Sequence, residues 1–455
     1  MKRVARMVKK GCRLLFAGLV LSLISLTMPV QAAGLLEIYQ QALQSDPRFQ
    51  AARHEHQAAA EARPQAWAGL LPTVGFSYEY SDTSQDIVSS DNTVFASGST
   101  SFGSTSYTLS LTQPVFRYAS LVRLGQAKTE VRRADVLFDL ALQELMLRVS
   151  ETYLAALAAR DQLDFARAEQ AADESHFELA KGRYEMGLAP ITDLHDAKAR
   201  LATVQARTIE AENLFDDALQ ALRELTGEEA TELAPLPREM ELQSPEPAEI
   251  EPWVEAALQQ NLTLEAQRLA VKVAEREVTR QRAGHYPTLD LVGQFNNEET
   301  DGSLFGGGSE VETQELMLQL NIPLYEGGIV NSRTRQAARL QQKASQELVR
   351  EVRSVMRRAR SAYLGVQSAI SRVRALEQSV ASQKLALEAK QEGFRSGLYT
   401  GLAVLDAERD LYQAKNDYAL ARYDYLLNSL RLKQAAGTLK YDDLSQVGAW
   451  FVQAE

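Results

Sequence analysis

Apolar residues recur at alternating intervals of four and three through the second half of the chain. This spacing is the heptad seam of a coiled coil, and no proline follows Pro323 to interrupt a helix. A helix that fills this part of the chain would extend on the order of 100 Å at about 1.5 Å per residue. A rod of this length predicts packing against other rods rather than burial inside a compact domain. The seam comprises Leu348, Val352, Val355, Ala359, Ala362, Val366, Ala369, Val373, Leu376 and Val380.

Two shorter stretches carry seams of the same kind, 210 positions apart. Each predicts a helix that packs along a longer one. Alanine is frequent at the seam positions, and its small side chain suits close packing of helices around a wide ring. The first seam comprises Leu194, Ala197, Leu201, Val204, Thr208, Ala211, Phe215, Ala218, Leu222 and Leu225, and the second comprises Val404, Ala407, Leu411, Ala414, Tyr418, Ala421 and Tyr425.

The two halves of the chain are similar in sequence. Short matches recur in the same order at spacings between 209 and 215 residues. Self-similarity of this kind indicates an internal repeat, and it predicts that both halves contain the same elements. The matched stretches are 42–44 with 257–259, 71–74 with 286–289, 109–116 with 318–325, 187–188 with 397–398, and 196–197 with 406–407.

Each predicted repeat, 33–227 and 253–437, contains a helix, a strand pair (73–116 or 288–325), a long helix and a shorter helix. The linker 228–252 contains five prolines. We expect the linker and the C-terminal tail 438–455 to form an equatorial belt on the outside of the ring of packed helices. The predicted elements of the first repeat are 35–70, 73–81, 106–116, 117–186 and 192–226. Those of the second repeat are 253–284, 288–296, 313–325, 329–396 and 403–436.

The first 32 residues differ in composition from the rest. Six basic residues accompany an apolar run from Leu14 to Val30, and Val30-Gln31-Ala32 fits the small-residue rule for cleavage before Ala33. This pattern is typical of a secretory signal peptide. The alternative, a membrane anchor, fits less well because the apolar run is short and contains Pro29. Removal of residues 1–32 takes the formal charge from −11 to −17.

The remaining composition argues against several classes of function. The single cysteine, Cys12, leaves with the signal peptide, so no thiol remains for disulfides, metals or redox chemistry. An acidic chain without a basic patch is a poor candidate for nucleic-acid binding. The five histidines are scattered, and 306–308 lacks the helix and lysine of a phosphate-binding loop. We therefore predict no catalytic activity, no cofactor and no metal site.

Apolar and polar residues alternate in the predicted strands. Val74, Phe76, Tyr78 and Tyr80 share one face of the first strand. Strands of about ten residues with aromatic residues on the apolar face have the length that spans a membrane, although a soluble antiparallel sheet gives the same alternation. Four strands cannot close a barrel because about eight are needed. If the strands cross a membrane, several chains must share one barrel, and three would supply twelve strands.

Short motifs follow one another along the chain in a fixed order and at the repeat spacing. They are 38–42 (IYQQA), 71–72 (LP), 111–116 (LTQPVF), 187–188 (GL), 191–193 (ITD), 285–289 (HYPTL), 323–328 (PLYEGG), 404–407 (VLDA) and 421–426 (ARYDYL). Any one of them is weak, whereas the full series is highly specific. By this series the chain resembles the TolC-type outer-membrane factors of Gram-negative bacteria, over about Gly34 to Leu444.

The resemblance implies a mainly α-helical fold with transmembrane β-strands. Three copies would form a homotrimer, in which each chain contributes four strands to a 12-stranded β-barrel in the outer membrane. Their long coiled-coil helices would form an α-barrel tunnel in the periplasm. The tunnel would be the exit duct of a tripartite efflux pump or a type I secretion system. The implied partners are outer-membrane lipid, a periplasmic adaptor protein and an inner-membrane transporter of the ABC, RND or MFS class.

The residues of functional interest lie at the helical turns that would form the periplasmic mouth. In a trimer, Asp406 would place three carboxylates around one axis, with Asp193 and Asp196 nearby, and such a ring would attract cations. Composition alone favours the simpler interpretation that Asp193 caps a helix and Asp406 faces solvent, whereas the resemblance favours a gate. The turns Gly187-Leu188 and Gly397-Leu398 resemble the family's adaptor-docking tips. A purely structural role as glycine C-caps is compatible with docking.

The resemblance also implies how the mouth closes. The family uses two acidic rings and side-chain bonds that link the two helical hairpins, and this sequence keeps Thr192, Asp193 and Asp406. Since it lacks other members of that set, we predict that the Tyr399 hydroxyl bonds Asp193 in place of the usual lock. The departures from the family pattern are Ala403 for an acid, Phe394 for a tyrosine and Tyr399 for an arginine.

A soluble periplasmic coiled-coil scaffold is the alternative from a different functional class. In that case the four strands would form an ordinary sheet in water. Heat-modifiable trimers in the outer membrane would favour the channel, whereas release of the protein by osmotic shock would favour the scaffold.

Overall fold

The structure, a computed structural model, describes residues 34–89, 98–229, 232–237, 240–302 and 307–451. The predicted signal peptide lies outside the described residues. Within these ranges the fold is mainly helical, and none of the helices is long and apolar enough to cross a membrane. The elements are α1 (Leu35–Ser45), α2 (Pro47–Ala60), α3 (Ala62–Ala68), β1 (Thr73–Ile87), β2 (Gly98–Arg117), α4 (Tyr118–Glu185), α5 (Ile191–Thr226), α6 (Ile250–Gln260), α7 (Leu262–Arg282), a 3₁₀ turn (Ala283–His285), β3 (Thr288–Thr300), β4 (Ser309–Asn321), α8 (Ile329–Arg395), α9 (Gly401–Ala436) and α10 (Tyr441–Ala449).

The first repeat opens with three short helices, so the prediction of one helix over 35–70 is wrong. Asp46 separates α1 from α2, and its carboxylate accepts hydrogen bonds from the N–H groups of Arg48 (3.2 Å) and Phe49 (3.3 Å). Pro47 follows at the start of α2, where its missing N–H costs no helical hydrogen bond. The break lies where a short polar side chain satisfies helix donors that would otherwise lack a partner.

The second repeat has an equivalent break, so the prediction of one helix over 253–284 is also wrong. Asn261 lies 215 positions after Asp46. Its side-chain oxygen caps α7 by accepting a hydrogen bond from the Leu264 N–H at 3.2 Å. Its side-chain amide donates to the Ala435 carbonyl at 3.1 Å and so ties the break to α9.

The strands of the first repeat are longer than predicted. β1 continues to Ile87 and β2 begins at Gly98, so much of the predicted loop 82–105 is paired strand. Ser84 lies opposite Ser101 in the ladder. Backbone pairing continues through these small polar residues, whose composition is typical of loops. Residues 90–97 lie outside the described residues.

The strands of the second repeat differ from prediction at both ends. β3 reaches Thr300 and β4 begins at Ser309, inside the predicted loop 297–312. β4 ends at Asn321 rather than at residue 325, because its ladder partner β3 begins at Thr288, directly opposite Asn321. Pairing therefore sets the length of a strand more than composition does.

The four strands form one antiparallel sheet in the order β1-β2-β3-β4, so β1 and β4 are its edges. One face is apolar across all four strands. Leu109 on β2 lies opposite Phe76 on β1 and Phe295 on β3. Leu291 on β3 lies opposite Leu318 on β4. Alternation within each strand and this register together place the apolar side chains on a single face.

The other face of the sheet is polar, and side chains on it form hydrogen bonds between strands. The Thr108 hydroxyl donates to the Asn296 side-chain oxygen at 2.8 Å. At the helix-proximal end of β2, Arg117 forms two hydrogen bonds of 2.8 Å with Asp290 of β3. This bidentate pair fixes the register of the β2–β3 junction.

Contacts within the chain define two compact units. One unit contains the described residues of 34–42, 149–241 and 444–451, and the other contains 43–148 and 242–443. These units do not coincide with the predicted sequence repeats, since the helix α4 contributes to both.

In the first unit, α4 and α5 lie antiparallel. Arg167 pairs with Glu212 at 2.9 Å, and Glu169 pairs with Arg207 at 3.6 Å. The linker packs against α4. There the buried Tyr153 hydroxyl donates a hydrogen bond to the Ala234 carbonyl of the linker at 3.0 Å. Burial raises the pKa of Tyr153, so the hydroxyl remains a donor.

In the second unit, the predicted heptad seam of α8 is buried or half-buried at all ten positions. Val355 and Ala359 form a cluster with Val254, Ala257 and Leu264 of α6 and α7. The linker again lies along the helices, where the Tyr425 hydroxyl accepts a hydrogen bond from the Gln243 N–H at 2.9 Å. The periodicity therefore identified the packed side of α8 correctly.

A polar cluster joins α4 to α7 in the same unit. Glu277 accepts hydrogen bonds from Arg280 (2.7 and 2.8 Å), Gln281 (2.6 Å) and Gln126 of α4 (3.3 Å). The hydrogen bond from Arg280 is the largest influence on Glu277 and holds its pKa below the ordinary value. The cluster provides a charged contact between α4 and α7.

Candidate functional site

The turn after α8 is built around Gly397. Its φ of 79° is left-handed, a conformation that glycine adopts without the steric cost of a Cβ. The Gly397 N–H donates to the Phe394 carbonyl at 3.1 Å, and the Leu398 N–H donates to the Gly393 carbonyl at 2.7 Å. These bonds satisfy carbonyls at the end of the helix. Leu398 is left at the tip with 76% of its surface exposed.

Two further glycines flank this turn, and hydrophobic periodicity does not single them out. Gly393 is buried, and a Cβ added there would overlap the ring of Tyr399. A Cβ on Gly401 would lie 3.6 Å from the ring of Phe394. Gly393 therefore leaves room for the Tyr399 ring, whereas a side chain at Gly401 would make only ordinary van der Waals contact with Phe394. The only local signal was a glycine within four residues of each side of Gly397.

The turn after α4 has the same backbone design around Gly187. Its φ is 72°, and the Leu188 N–H donates to the Arg183 carbonyl at 2.8 Å. Leu188 is 71% exposed at the tip, and the adjacent Met186 is also exposed. Both turns therefore present an apolar side chain to their surroundings.

The two turns differ in how the following helix begins. The Thr400 hydroxyl caps α9 by accepting a hydrogen bond from the Ala403 N–H at 3.3 Å. Pro190 holds the equivalent position before α5 and forms no side-chain cap. Asp193 lies in the first turn of α5, where a negative charge is favourable. Its charge is favourable at the helix start, but the interpretation that Asp193 caps the helix is wrong, because the N-cap position is held by Pro190.

The acidic residues of the predicted gate have different environments. Asp406 is half-buried on α9, and one carboxylate oxygen lies 3.8 Å from an Arg409 nitrogen. Arg409 also donates to Asp410 at 2.9 Å. Asp193 and Asp196 are exposed on α5. A cation one helical turn from Asp406 was not anticipated, although the spacing of three residues indicates it.

The predicted site residues fall into two local groups. Gly187, Leu188, Thr192, Asp193 and Asp196 belong to the first unit, in which the Thr192 hydroxyl lies 3.5 Å from an Asp193 oxygen. The second unit holds the other group, which comprises Phe394, Gly397, Leu398, Tyr399 and Asp406. The bond between Tyr399 and Asp193 stays a prediction. Among the described residues, no group of three His, Cys, Asp or Glu side chains is placed to hold a metal ion.

The model of the family described as outer membrane efflux protein matches residues 38–228 and again 253–438. The chain belongs to the outer membrane efflux protein family. It is an outer-membrane exit channel of the kind found in efflux and secretion systems of Gram-negative bacteria. Family members and structural relatives are channels rather than enzymes.

Curated relatives cover most of the chain. It is 36% identical over 427 residues to outer membrane protein TolC of Vibrio cholerae, covering 93% of this chain and 95% of the relative. It is 34% identical over 426 residues to alkaline protease secretion protein AprF of Pseudomonas aeruginosa, covering 93% and 88%. Identities of this size over such lengths extend the family assignment to both repeats.

Solved structures share the fold. The CmeC outer membrane channel of Campylobacter jejuni has a TM-score of 0.77 at 15% identity, covering 91% of this chain and 89% of that one. The open state of the MtrE outer membrane channel of Neisseria gonorrhoeae has a TM-score of 0.67 at 19% identity, covering 89% of both. At these identities the likeness concerns the fold alone.

Proposed function

We propose that three copies of this efflux-family chain assemble into one channel. Each copy would contribute its four-stranded sheet to a 12-stranded barrel in the outer membrane and its long helices to a periplasmic tunnel. The sheet supports this assembly because β1 and β4 are open edges. Open edges are costly in lipid, and about eight strands are the minimum for closure.

The observation that carries the proposal is the exposed apolar face of the sheet. Side chains of β1 on this face are 57–69% exposed, and those of β4 are 58–76% exposed. A continuous apolar surface of this kind is stable against lipid and unfavourable in water. The β1 residues are Val74, Phe76, Tyr78 and Tyr80, and the β4 residues are Leu316, Leu318 and Leu320.

The test combines location with ion flux. We expect the protein to fractionate with the outer membrane as a heat-modifiable trimer and to conduct ions in planar lipid bilayers. Release by osmotic shock as a folded, non-conducting protein would support the periplasmic scaffold and reject the channel assembly. The energy for export would come from the partner transporter, since we assign no catalytic role to any residue.

We further propose that Asp406 lines the closed mouth of the channel, with Asp193, Asp196 and Thr192 as its counterpart in the first repeat. Three Asp406 carboxylates around one axis would favour cations. Asp406→Asn should lower the cation preference, measured as the reversal potential in a salt gradient. Asp410→Asn is the matched control because Asp410 also pairs with Arg409. An equal effect of both variants would exclude a special role for Asp406.

The apolar tips support a docking role. Leu188 and Leu398 each follow a left-handed glycine and project from a turn. We propose that they bind a periplasmic adaptor protein, which in turn engages an inner-membrane ABC, RND or MFS transporter. The relative AprF is named for alkaline protease secretion, and we propose that this chain likewise serves type I secretion, efflux or both. Two matches to one family model support the duplication into repeats 33–227 and 253–437.

A further inference from the structure

The long helix α8 carries a concentration of positive charge. Residues 333–374 contain eleven Lys or Arg residues and two Glu residues, in a chain whose formal net charge is −11. The net charge conceals this concentration. The expectation that the chain has no basic patch is therefore wrong for this helix.

Four of the arginines form one line along α8, which we call the basic stripe. Arg350, Arg353, Arg357 and Arg360 are spaced by three, four and three residues, so they lie along one side of the helix over about 15 Å. All four residues are exposed. Each follows a residue of the buried seam by one or two positions, which turns it about 100–200° away from the packed side of the helix.

The chain supplies little negative charge to the basic stripe. Arg360 pairs with Glu251 at 3.4 Å. Arg350, Arg353 and Arg357 form no ion pair with any residue that the structure describes. Like charges three or four residues apart on a helix repel each other and destabilise it. An anionic partner would relieve this repulsion.

The first repeat lacks the basic stripe. Its long helix α4 aligns with α8 at a spacing of 210 residues, since Leu145 is buried in α4 as Val355 is in α8. The equivalent stretch, 123–164, contains six Lys or Arg residues and seven Asp or Glu residues. The positions equivalent to the stripe are uncharged and buried or half-buried, and the Gln143 side-chain amide donates to the Leu439 carbonyl at 3.0 Å. The fold therefore does not require arginine at these positions, which in α4 are Leu140, Gln143, Leu147 and Ser150.

The basic stripe lies away from the lipid. The helix α8 begins at Ile329, shortly after the strand β4 ends, and Arg350 and Arg360 lie about 32 and 47 Å further along the helix. In the proposed channel this distance places the stripe in the periplasm, beyond the reach of the phospholipid headgroups. The same location separates the stripe from cytoplasmic nucleic acid.

From this charge and position we propose that the basic stripe binds peptidoglycan through the carboxylates of its peptide stems. Peptidoglycan is an anionic network between the two membranes, and a tunnel on the order of 100 Å long has to pass through it. Arginine suits this role because its planar guanidinium group forms paired hydrogen bonds with a carboxylate. The proposal rests on the channel assembly described above for the direction of α8, and it gives the tunnel wall a partner outside the export system.

Co-sedimentation with purified peptidoglycan sacculi tests the proposal on protein extracted from the outer membrane in detergent. We expect the unsubstituted protein to sediment with sacculi at low ionic strength and to be released by salt. Arg353→Gln with Arg357→Gln should lower the bound fraction at least about fivefold, because both charge-assisted contacts are lost. The control is Arg333→Gln with Arg335→Gln, which removes the same charge from exposed positions nearer the membrane and should leave binding unchanged. Sacculi whose carboxylates have been converted to amides should bind none of these proteins.

Trimer content, ion conductance and binding to phosphatidylglycerol vesicles are measured on the same samples. A conducting trimer that does not sediment with sacculi, or that sediments equally well without Arg353 and Arg357, would overturn the peptidoglycan assignment and leave the channel intact. Loss of trimers in the Arg353→Gln, Arg357→Gln variant would assign the stripe to a contact between copies, and binding to vesicles alone would assign it to lipid. Either result overturns the proposal. A protein that neither conducts ions nor forms trimers would overturn the channel assembly and, with it, the placement of α8.

Discussion

Apolar side chains in the helices and in the sheet have opposite environments. Along α8, all ten seam residues are buried or half-buried, and Ala359 has no exposed surface. On β1, the four apolar residues of one face are all more than half exposed. The two regions use similar residue types, but only the helices bury some of them fully, whereas the apolar residues of the described strands are at most half-buried, as on β3.

The comparison shows which parts of the fold are complete in one copy. Burial of apolar surface contributes roughly 25 cal/mol per Å², so the helices gain this energy inside a single chain. The sheet can gain it only from lipid or from other copies. The helical region therefore stabilises the single chain, and in the proposed assembly the sheet supplies the contacts with lipid and with other copies.

The largest effect should follow from a charge placed in the α8 seam. Ala359→Asp would bury a carboxylate beside Val254, Ala257 and Leu264, at a cost of more than about 3 kcal/mol. We expect little folded protein and a lowered midpoint of thermal unfolding by circular dichroism. Ser361→Asp places the same side chain at an exposed position of the same helix and should change little. If both variants lower the amount of folded protein and the unfolding midpoint equally, the assignment of Ala359 to a packed seam is wrong.

A charge on the apolar face of the sheet should act on membrane insertion instead. Leu318→Lys would cost about 2–4 kcal/mol at the middle of a bilayer. We expect a reduced fraction of trimer in the outer membrane, while helix content in any unassembled protein remains. The neighbouring Gln319→Lys lies on the opposite face and should be tolerated. A stronger effect of Gln319→Lys would reverse the assignment of the two faces.

The periodic features of this fold could be read from the sequence. Heptad spacing identified the packed side of α8, and alternation identified the apolar face of the sheet. The break at Asp46 was also visible, because an aspartate followed by Pro47 is a strong helix start. The heptad-based expectation of one helix over 35–70 does not include this local signal.

Other features depend on residues that are distant in sequence. Arg117 and Asp290 are 173 residues apart, and only the β2–β3 register brings them together. Strand ends depend on where a partner strand ends, as at Asn321. The packing of Tyr399 over Gly393 joins residues close in sequence, but it depends on the path of the turn between them. The spacing of hydrophobic residues along the sequence does not report these side-chain contacts or strand ends.

A smaller effect is expected from the polar cluster that joins α4 to α7. The depressed pKa of Glu277 means that its stabilisation is present above the carboxylate's unfolded pKa and is lost as pH falls through its folded pKa. Glu277→Gln should lower stability by roughly 1 kcal/mol at pH 7, and the difference should disappear in acid. Unfolding midpoints across pH measure this. Glu275→Gln, at an exposed position of α7, is the control, and a constant difference at all pH values would exclude the charge as the cause.

The smallest effect concerns the ends of the helices, where one hydroxyl is predicted to hold the mouth closed. Tyr399→Phe keeps the ring that packs over Gly393, so any change comes from the hydroxyl. Loss of a bond to Asp193 would remove about 1 kcal/mol of closure and should raise single-channel conductance in planar bilayers. Tyr184→Phe makes the same change before the other turn and should leave conductance unaltered. If Tyr399→Phe also leaves it unaltered, the mouth is held by other contacts, and the predicted bond to Asp193 is wrong.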